Sequence, residues 1–262
     1  MGNIEFDFKP TVEVWDANAS LGPRHDFKVS VDNAEQTLEE MDRLKIEKAI
    51  VYSPHSVGFD SNDGNNYLID LIDSNKRLIP QFVFNPTWDN LEQFQEEIEK
   101  NQISSVRMTP GVHKYPFKNW IVKPWLSWLQ ESRIPLWIPL SYEFLGDESP
   151  VNPSELHETI SQYPRLQVVI SDVHYKFSWI FQFLEDLPNC HVEISQIIGT
   201  GAIEELIQRI GYERILFGSG FPENNIGRQL YSVHQSELEK NVLEAICYKN
   251  IQELLGYSQI LK

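Results

Sequence analysis

The feature that most constrains this fold is the regular alternation of short apolar runs with helical patterns along nearly the whole chain. Helices of this kind show apolar residues three or four positions apart, as at Leu38, Met41 and Leu44. The apolar runs have strand length, and they occupy residues 12–15, 49–53, 78–84, 104–110, 134–140, 166–172, 191–195 and 215–217. We expect loops over residues 16–23, 60–66 and 111–119, and a helix cap from Asp32. Strands separated by helices pair in parallel, so the pattern predicts an α/β protein.

Two parallel architectures suit roughly eight strands in a chain of 262 residues. One is a closed (β/α)8 TIM barrel and the other is an open, doubly wound sheet. The open sheet usually carries a glycine-rich nucleotide fingerprint after its first strand, whereas residues 16–22 contain one glycine. The pattern therefore favours the barrel. With no repeat, linker or low-complexity tract, we expect one domain over residues 1–262.

The charge balance limits the partners of such a barrel. The chain has 22 Lys and Arg against 38 Asp and Glu, a formal net charge of −16, so nucleic acid and anionic membranes are not expected as partners. No apolar run approaches the ~18 residues of a membrane span. Cys190 and Cys247 form no disulfide or metal motif. We expect a cytoplasmic protein that binds a small molecule, and a homo-oligomer is possible.

Polar residues at the carboxyl ends of the predicted strands are the candidates for an active site. Three pairs are spaced by two, so both members point to the same side of their strand. These pairs are Asn18/Ser20, Arg107/Thr109 and Asp172/His174, and further candidates are Asp16, Ser53, His55, Ser141, Glu143, Glu193, Ser195, Ser219 and Glu223.

Among these candidates, Arg107 is a planar fixed cation suited to a substrate carboxylate or phosphate. The alternative is a salt bridge from Arg107 to Asp172 or Glu193. His174 or His113 could serve as general base on water, with Asp172 orienting or charging the imidazole. The amides of residues 218–220 could form an anion-binding nest, and Tyr115 could line a pocket.

Five stretches, taken together and in order, resemble the amidohydrolase-related branch of the amidohydrolase superfamily. They are Val14-Trp-Asp-Ala-Asn-Ala-Ser-Leu-Gly22, Leu38-Glu-Glu-Met-Asp-Arg-Leu-Lys-Ile46, Val106-Arg-Met-Thr-Pro110, Tyr163-Pro-Arg-Leu-Gln-Val-Val-Ile170 and Arg214-Ile-Leu-Phe-Gly-Ser-Gly-Phe-Pro222. The resemblance implies a distorted TIM barrel and an activity among metal-dependent hydrolases and decarboxylases.

The same resemblance implies that the family's usual metal ligands are missing here. Its first-strand histidines fall on Asn18 and Ser20, its sixth-strand histidine on Asp172 and its last catalytic aspartate on Gly220. Its fifth-strand histidine falls near Pro139 or Ser141. Zinc sites depend on histidine nitrogen, so we expect no metal and no other cofactor. The alternative is one divalent ion at an atypical site of oxygen ligands that includes Asp172.

The resulting hypothesis is a hydrolase, or a related lyase, acting on a small carboxylate-bearing molecule. Its predicted catalytic residues are Asp172, His174 and His113, and its predicted substrate-binding residues are Arg107, Asn18, Tyr115, Ser219 and Glu223. The alternative is a catalytically inactive barrel that binds a small ligand or serves as a subunit of a complex.

Overall fold

The computed structural model describes residues 8–141, 143–144, 147–148, 151–174 and 176–256. Within them the strands are β1 Trp15–Ser20, β2 Lys48–Tyr52, β3 Leu78–Pro80, β4 Phe82–Phe84, β5 Val106–Met108, β6 Leu136–Pro139, β7 Glu143–Phe144, β8 Asp147–Glu148, β9 Val168–Ser171, β10 Cys190–Glu193 and β11 Ile215–Leu216. Strands β7 and β8 form a small antiparallel hairpin, and the remaining strand pairs are parallel.

The helices lie between these strands, as the apolar periodicity predicts. They are α1 Ala34–Leu44, α2 Pro54–Gly58, α3 Ser61–Ile72, α4 Leu91–Lys100, α5 Pro110–His113, α6 Asn119–Ser132, α7 Pro153–Ile160, α8 Ile180–Asp186, α9 Ala202–Ile210, α10 Ile226–Gln235, α11 Lys240–Glu244 and α12 Asn250–Leu254. A short 3-10 turn covers Tyr212–Arg214, and a π-helical turn over Ala245–Lys249 joins α11 to α12.

The parallel strands close into a barrel. They run in the orders β1-β2-β3 and β11-β10-β9-β6-β5-β4, and β3 and β4 are one strand interrupted at Gln81. The first and last strands meet through backbone hydrogen bonds from the amide of Ala17 to the carbonyl of Phe217 (2.9 Å) and from Gly220 to Asn18 (2.8 Å). The described residues thus contain eight barrel staves, and the prediction of a (β/α)8 TIM barrel is confirmed.

The core has two parts, as expected for such a barrel. A large cluster fills the space between strands and helices. A smaller cluster joins buried side chains from strands on opposite sides of the ring, which can meet only inside it. Trp137 of β6 is fully buried in this second cluster, and its indole N–H donates to the carbonyl of Ala17 at 3.0 Å. Side chains therefore fill the barrel interior, which leaves no open pore.

Two predictions about the first barrel unit are corrected by the structure. Residues 16–20, predicted as a polar loop, continue strand β1, so their side chains belong to the barrel wall. Helix α1 was expected to be capped by Asp32, but the cap is Asn33, whose side chain accepts from the amide of Gln36 at 3.0 Å. In β1, side-chain hydrogen bonds within the barrel satisfy polar groups that would otherwise favour a loop.

The Gly/Asn/Asp-rich stretch 60–66, predicted as a loop, instead begins helix α3. Asp60 caps this helix by accepting from the amide of Asp63 at 2.9 Å. A Cβ atom on Gly64 would lie 2.3 Å from the backbone nitrogen of Ser56, so only glycine allows α3 to pack this closely against α2. Residues 111–119, also predicted as a loop, include the last three residues of α5 and the start of α6. Local composition failed here because tertiary packing favoured the helix.

No helix in the described part of the chain is both long and apolar enough to cross a membrane.

Candidate active site at the mouth of the barrel

Asn18 lies at the centre of a buried polar cluster near the carboxyl ends of the strands. Its Nδ2 donates to Asp172 Oδ1 (3.0 Å) and to Glu193 Oε1 (3.2 Å), and its Oδ1 accepts from Arg107 Nη2 (2.7 Å). Strands β1, β5 and β10 and the residue directly after β9 supply these four side chains. Two of the residues predicted to bind substrate, Asn18 and Arg107, thus meet the predicted catalytic residue Asp172.

Arg107 is held rigidly, although one of its nitrogens lacks a hydrogen bond. Its Nε donates to Gln81 Oε1 at 2.8 Å, and its guanidinium carbon lies 4.0 Å from the ring centre of Tyr52. Its Nη1 is 3.7 Å from Asp172 Oδ2 and has no hydrogen-bond partner among the described residues. The side chain is 1% exposed. Arg107 therefore compensates a buried carboxylate and keeps one donor unused.

Glu193 is a fully buried acid that shares this cluster with Asp172. Its carboxylate accepts from the amides of Asp172 and Ser195, each at 2.7 Å, and from the Ser195 hydroxyl at 2.8 Å. Burial, and then the charge of Asp172, raise the pKa of Glu193 to about 8. Burial also raises the pKa of Asp172, against the opposing effect of Arg107. Two acids with pKa values above the ordinary range therefore lie together.

Gly218, two residues after the end of β11, leaves the space that the Glu193 carboxylate occupies. A Cβ at this position would lie 2.1 Å from Glu193 Oε2 and 3.2 Å from Asn18 Cβ. We expect Gly218→Ala to displace Glu193 and to lower the free energy of unfolding by about 1–3 kcal/mol, as for other overpacked sites. Chemical denaturation measures this loss.

Gly227→Ala is the matched control for that change, because only the Asn225 side chain lies near its new methyl group, at 3.0 Å. We expect its stability to stay within about 0.5 kcal/mol of the wild type. Equal stability of the two alanine variants would contradict the close approach of Glu193 to Gly218.

Ser219 connects the last loop to strand β1. Its hydroxyl donates to Asp16 Oδ2 and accepts from the amide of Phe221 at 3.0 Å, and its own amide donates to Asp16 Oδ1 at 2.9 Å. Burial raises the pKa of Asp16 to about 6, opposed by the Ser219 hydrogen bonds. The structure therefore gives Ser219, predicted to bind substrate, two hydrogen-bond partners within the protein.

A cavity of about 290 Å³ opens above the polar cluster, and we call it the mouth cavity. Asp172 and the predicted residues His174 and Glu223 line it, together with Arg24, Phe27 and Tyr52. Glu223 Oε1 lies 3.1 Å from Arg24 Nη1, and burial raises the pKa of Glu223 while Arg24 lowers it. The cavity lining therefore contains the Asp172 carboxyl and the Arg24–Glu223 ion pair.

Five of the eight predicted residues do not line the mouth cavity. Asn18 and Arg107 lie in the buried cluster, Ser219 bonds Asp16, and His113 and Tyr115 follow strand β5. The His113 ring bonds the carbonyl of Val57 (3.0 Å) and the Thr109 hydroxyl, and burial lowers its pKa to about 4. The Tyr115 ring packs in the large core cluster, and its hydroxyl has no hydrogen-bond partner among the described residues. Burial, and then the charge of Asp89, raise the pKa of Tyr115 well above its usual range. His113 and Tyr115 closely follow strand β5, and this position in the sequence did not reveal that neither side chain lines the cavity.

Glu193 and Gln81 complete the site, although neither is among the predicted catalytic or substrate-binding residues. Glu193 was a candidate at a strand end, and its signal was a carboxylate inside the apolar run 191–195. A carboxylate in a strand that is covered on both faces needs a hydrogen-bond or charge partner. For Glu193 that partner lies in the barrel interior. Gln81 gave a similar signal, as a lone amide within the run 78–84.

The residues of the buried cluster do not by themselves form a metal site. No group of three or more His, Cys, Asp or Glu side chains in this part of the chain could hold a metal ion. Asp172 and Glu193 accept hydrogen bonds from protein donors, and the Arg107 guanidinium lies 3.7 Å from Asp172. A divalent ion beside that fixed cation would be repelled.

Comparison with known proteins places this chain in a family. The amidohydrolase family model matches residues 19–257. No curated protein matches the sequence. Among solved structures, 2,6-dihydroxybenzoate decarboxylase from Rhizobium superposes with a TM-score of 0.77 at 14% identity, covering 95% of this chain and all of that one. At such identity the likeness shows the fold.

Two further structures overturn the expectation that no cofactor is involved. The 5-carboxyvanillate decarboxylase from Novosphingobium aromaticivorans was crystallised with manganese (TM-score 0.76, 13% identity, covering 97% of this chain and 100% of that one). Dihydroxybenzoic acid decarboxylase from Polaromonas also contains bound manganese (TM-score 0.73, 12% identity, covering 95% and 98%).

The expectation was wrong because it relied on missing histidines, whereas Mn²⁺ prefers oxygen ligands. These relatives point to a divalent metal. The family model covers most of the chain, and the barrel closes as in these structures. The protein therefore belongs to the amidohydrolase family, in its amidohydrolase-related branch of (β/α)8 barrels.

Proposed function

We propose that this protein is an enzyme, a lyase or hydrolase, that acts on a small carboxylate-bearing molecule in the mouth cavity. The observation that carries the proposal is the position of Asp172, which lies in the cavity lining and in the buried cluster with Glu193. Burial raises the pKa of Asp172 above its usual range, so this carboxyl keeps its proton to higher pH than a free aspartate and is suited to proton transfer. We assign this acid–base role to Asp172.

A carboxylate substrate suits the charges around the cavity. The protein as a whole is acidic, so binding an anion requires a local cation. Arg107 supplies that charge beside Asp172, and Nη1 of this buried side chain has no hydrogen-bond partner among the described residues, while Arg24 lines the cavity itself. The rings of Phe27 and Tyr52 offer apolar contact for a planar group. The decarboxylases described above act on aromatic acids of this kind.

The proton balance of decarboxylation fits an acid at this position. The bond between the carboxylate and its neighbouring carbon breaks, carbon dioxide leaves, and that carbon takes a proton. In this proposal Asp172 delivers the proton, and Asn18 and Ser171 orient its carboxyl through hydrogen bonds of 3.0 and 3.1 Å. In a hydrolysis the same carboxyl would take a proton from water. Lyase activity is therefore the first to test.

The test is an assay for carbon dioxide release from 2,6-dihydroxybenzoate and 5-carboxyvanillate, with Mn²⁺ supplied and the metal content of the protein measured. We expect turnover by the wild type and a loss of at least about a hundredfold in kcat/KM for Asp172→Asn. The substitution keeps the shape of the side chain and removes the proton-exchanging group.

Asp186→Asn is the matched control, because Asp186 is exposed, pairs with His157 at 2.6 Å and does not line the mouth cavity. We expect its activity to equal that of the wild type. Equal turnover by Asp172→Asn would refute the role of Asp172. Thermal stabilisation by these acids, without release of carbon dioxide or hydrolysis of related esters and amides, would instead favour an inactive barrel that binds ligands.

A further inference from the structure

Two histidines from separate segments face each other beside the mouth cavity. His25 Nε2 and His55 Nδ1 are 3.1 Å apart, and the two rings meet edge to face with their centroids 5.2 Å apart. His55 belongs to helix α2, and His25 follows strand β1 in the segment that carries Arg24 and Phe27. The proposed function uses neither imidazole.

We propose that His25 and His55 bind one divalent transition-metal ion, such as Zn²⁺ or Ni²⁺, between these two nitrogens. Metal–imidazole bonds are about 2.0–2.1 Å long, so two nitrogens on one tetrahedral or octahedral ion lie roughly 3.0–3.4 Å apart. The observed separation falls in that range. The required neutral tautomers keep their protons on His25 Nδ1 and His55 Nε2, so each ring turns a lone pair towards the partner ring.

The surroundings of the pair allow such an ion to enter and to complete its coordination. His25 is exposed and His55 is half-buried, so water can fill the remaining positions around the metal. Phe59, which is 58% exposed, packs on both rings, with centroids 4.7 Å from His25 and 5.3 Å from His55. These contacts hold the two imidazoles in place before any metal arrives. The high negative charge of the protein also attracts cations.

The two imidazoles predict a metal preference different from that of the family. Imidazole suits zinc, nickel and copper, whereas manganese prefers carboxylate and water oxygens. The Asp26 oxygens close to His25 in sequence are already bonded to Arg24, at 2.9 and 2.6 Å. With two protein ligands, the site would be exchangeable, and the ion would connect the Arg24 segment of the mouth cavity to α2. Zinc occupancy would thus stiffen one wall of the cavity.

The experiment is equilibrium dialysis of chelator-treated protein against Zn²⁺, with bound metal measured by mass spectrometry, for the wild type and for His25→Ala and His55→Ala. We expect each variant to lose zinc affinity at least about tenfold, which corresponds to about 1.4 kcal/mol. We also expect zinc to raise the Tm of the wild type more than that of either variant, because the ligand binds the folded state.

His157→Ala is the matched control, since it removes another partly exposed imidazole, on helix α7. It should bind zinc as the wild type does, and Mn²⁺ should bind the pair more weakly than zinc. Unchanged affinity in both His25→Ala and His55→Ala would overturn the proposal, and so would a wild type that binds no zinc. Circular dichroism and the Tm without metal verify that the variants are folded.

Discussion

Replacing Arg107 with methionine is expected to lower the free energy of unfolding by about 3–5 kcal/mol at neutral pH. Methionine fills much of the same space but removes the positive charge that compensates Asp172 at 3.7 Å. It also leaves the oxygens of Gln81 and Asn18 without the donors that now lie at 2.8 and 2.7 Å. Unpaired polar groups at this depth cannot recover hydrogen bonds from water.

The pH dependence of this loss provides a second measurement. Arg107 lowers the pKa of Asp172, so the pKa of Asp172 rises further without the guanidinium. A carboxyl whose pKa is raised in the folded protein stabilises the folded state while it is protonated. That stabilisation is lost as the pH rises through the folded pKa. The difference between wild type and Arg107→Met should therefore shrink as the pH falls towards the ordinary aspartate range. Chemical denaturation at several pH values tests this.

Arg209→Met is the control for the Arg107 variant. Arg209 is partly exposed and pairs with Glu185 at 3.3 Å and Glu205 at 3.2 Å, so its loss should cost at most about 1 kcal/mol. A loss below about 1 kcal/mol for Arg107→Met as well would show that the Arg107 charge compensates nothing in the cluster.

The second large effect concerns the pH dependence of stability through Glu193. Its pKa is about 8 in the folded protein and 4.5 when unperturbed, so the folded state holds a proton that the unfolded state has lost between these values. Wild-type stability should fall by up to about 1.4 kcal/mol per pH unit across that window. In Glu193→Gln this contribution is absent, so its profile should be flatter.

The quantity to compare is the slope of the unfolding free energy against pH. Glutamine also replaces an acceptor of the Ser195 and Asp172 amides with a donor, which changes the stability itself. That mismatch shifts the stability of the variant by a constant amount and leaves its pH dependence unaffected. Glu185→Gln at the surface is the matched control and should follow the wild-type profile. Parallel profiles for wild type and Glu193→Gln would contradict a raised pKa for Glu193.

The barrel itself could be predicted from the sequence because its strands are covered on both faces. Such strands are continuous apolar runs, and the run 166–172 contains β9 while the run 134–140 contains β6. Ends of elements were less certain, and the stretch 60–66 became helix because Gly64 packs on Ser56. Composition is a property of the local sequence, whereas the contact between Gly64 and Ser56 depends on a neighbouring helix.

Part of the site was also predictable from residue types and spacing. Asp172 and His174 are two positions apart at a strand end, and both line the mouth cavity. For Arg107 the sequence left open whether it binds a ligand or forms a salt bridge with Asp172. The structure gives it a distant ion-pair contact and also an unused Nη1 donor. The spacing of residues predicts on which side of a strand their side chains lie, but it does not predict their distances to side chains of other strands.

The sequence by itself determined the strand count, the parallel architecture and which polar residues end each strand. Only the tertiary structure decided which of them meet: Asn18 contacts Asp172 across 154 positions and Glu193 across 175. These contacts depend on closure of the ring and on a register irregularity in β1 between Asp16 and Ala19. Apolar periodicity is a local property, whereas the shared burial of two carboxylates and a guanidinium arises only when distant strands come together.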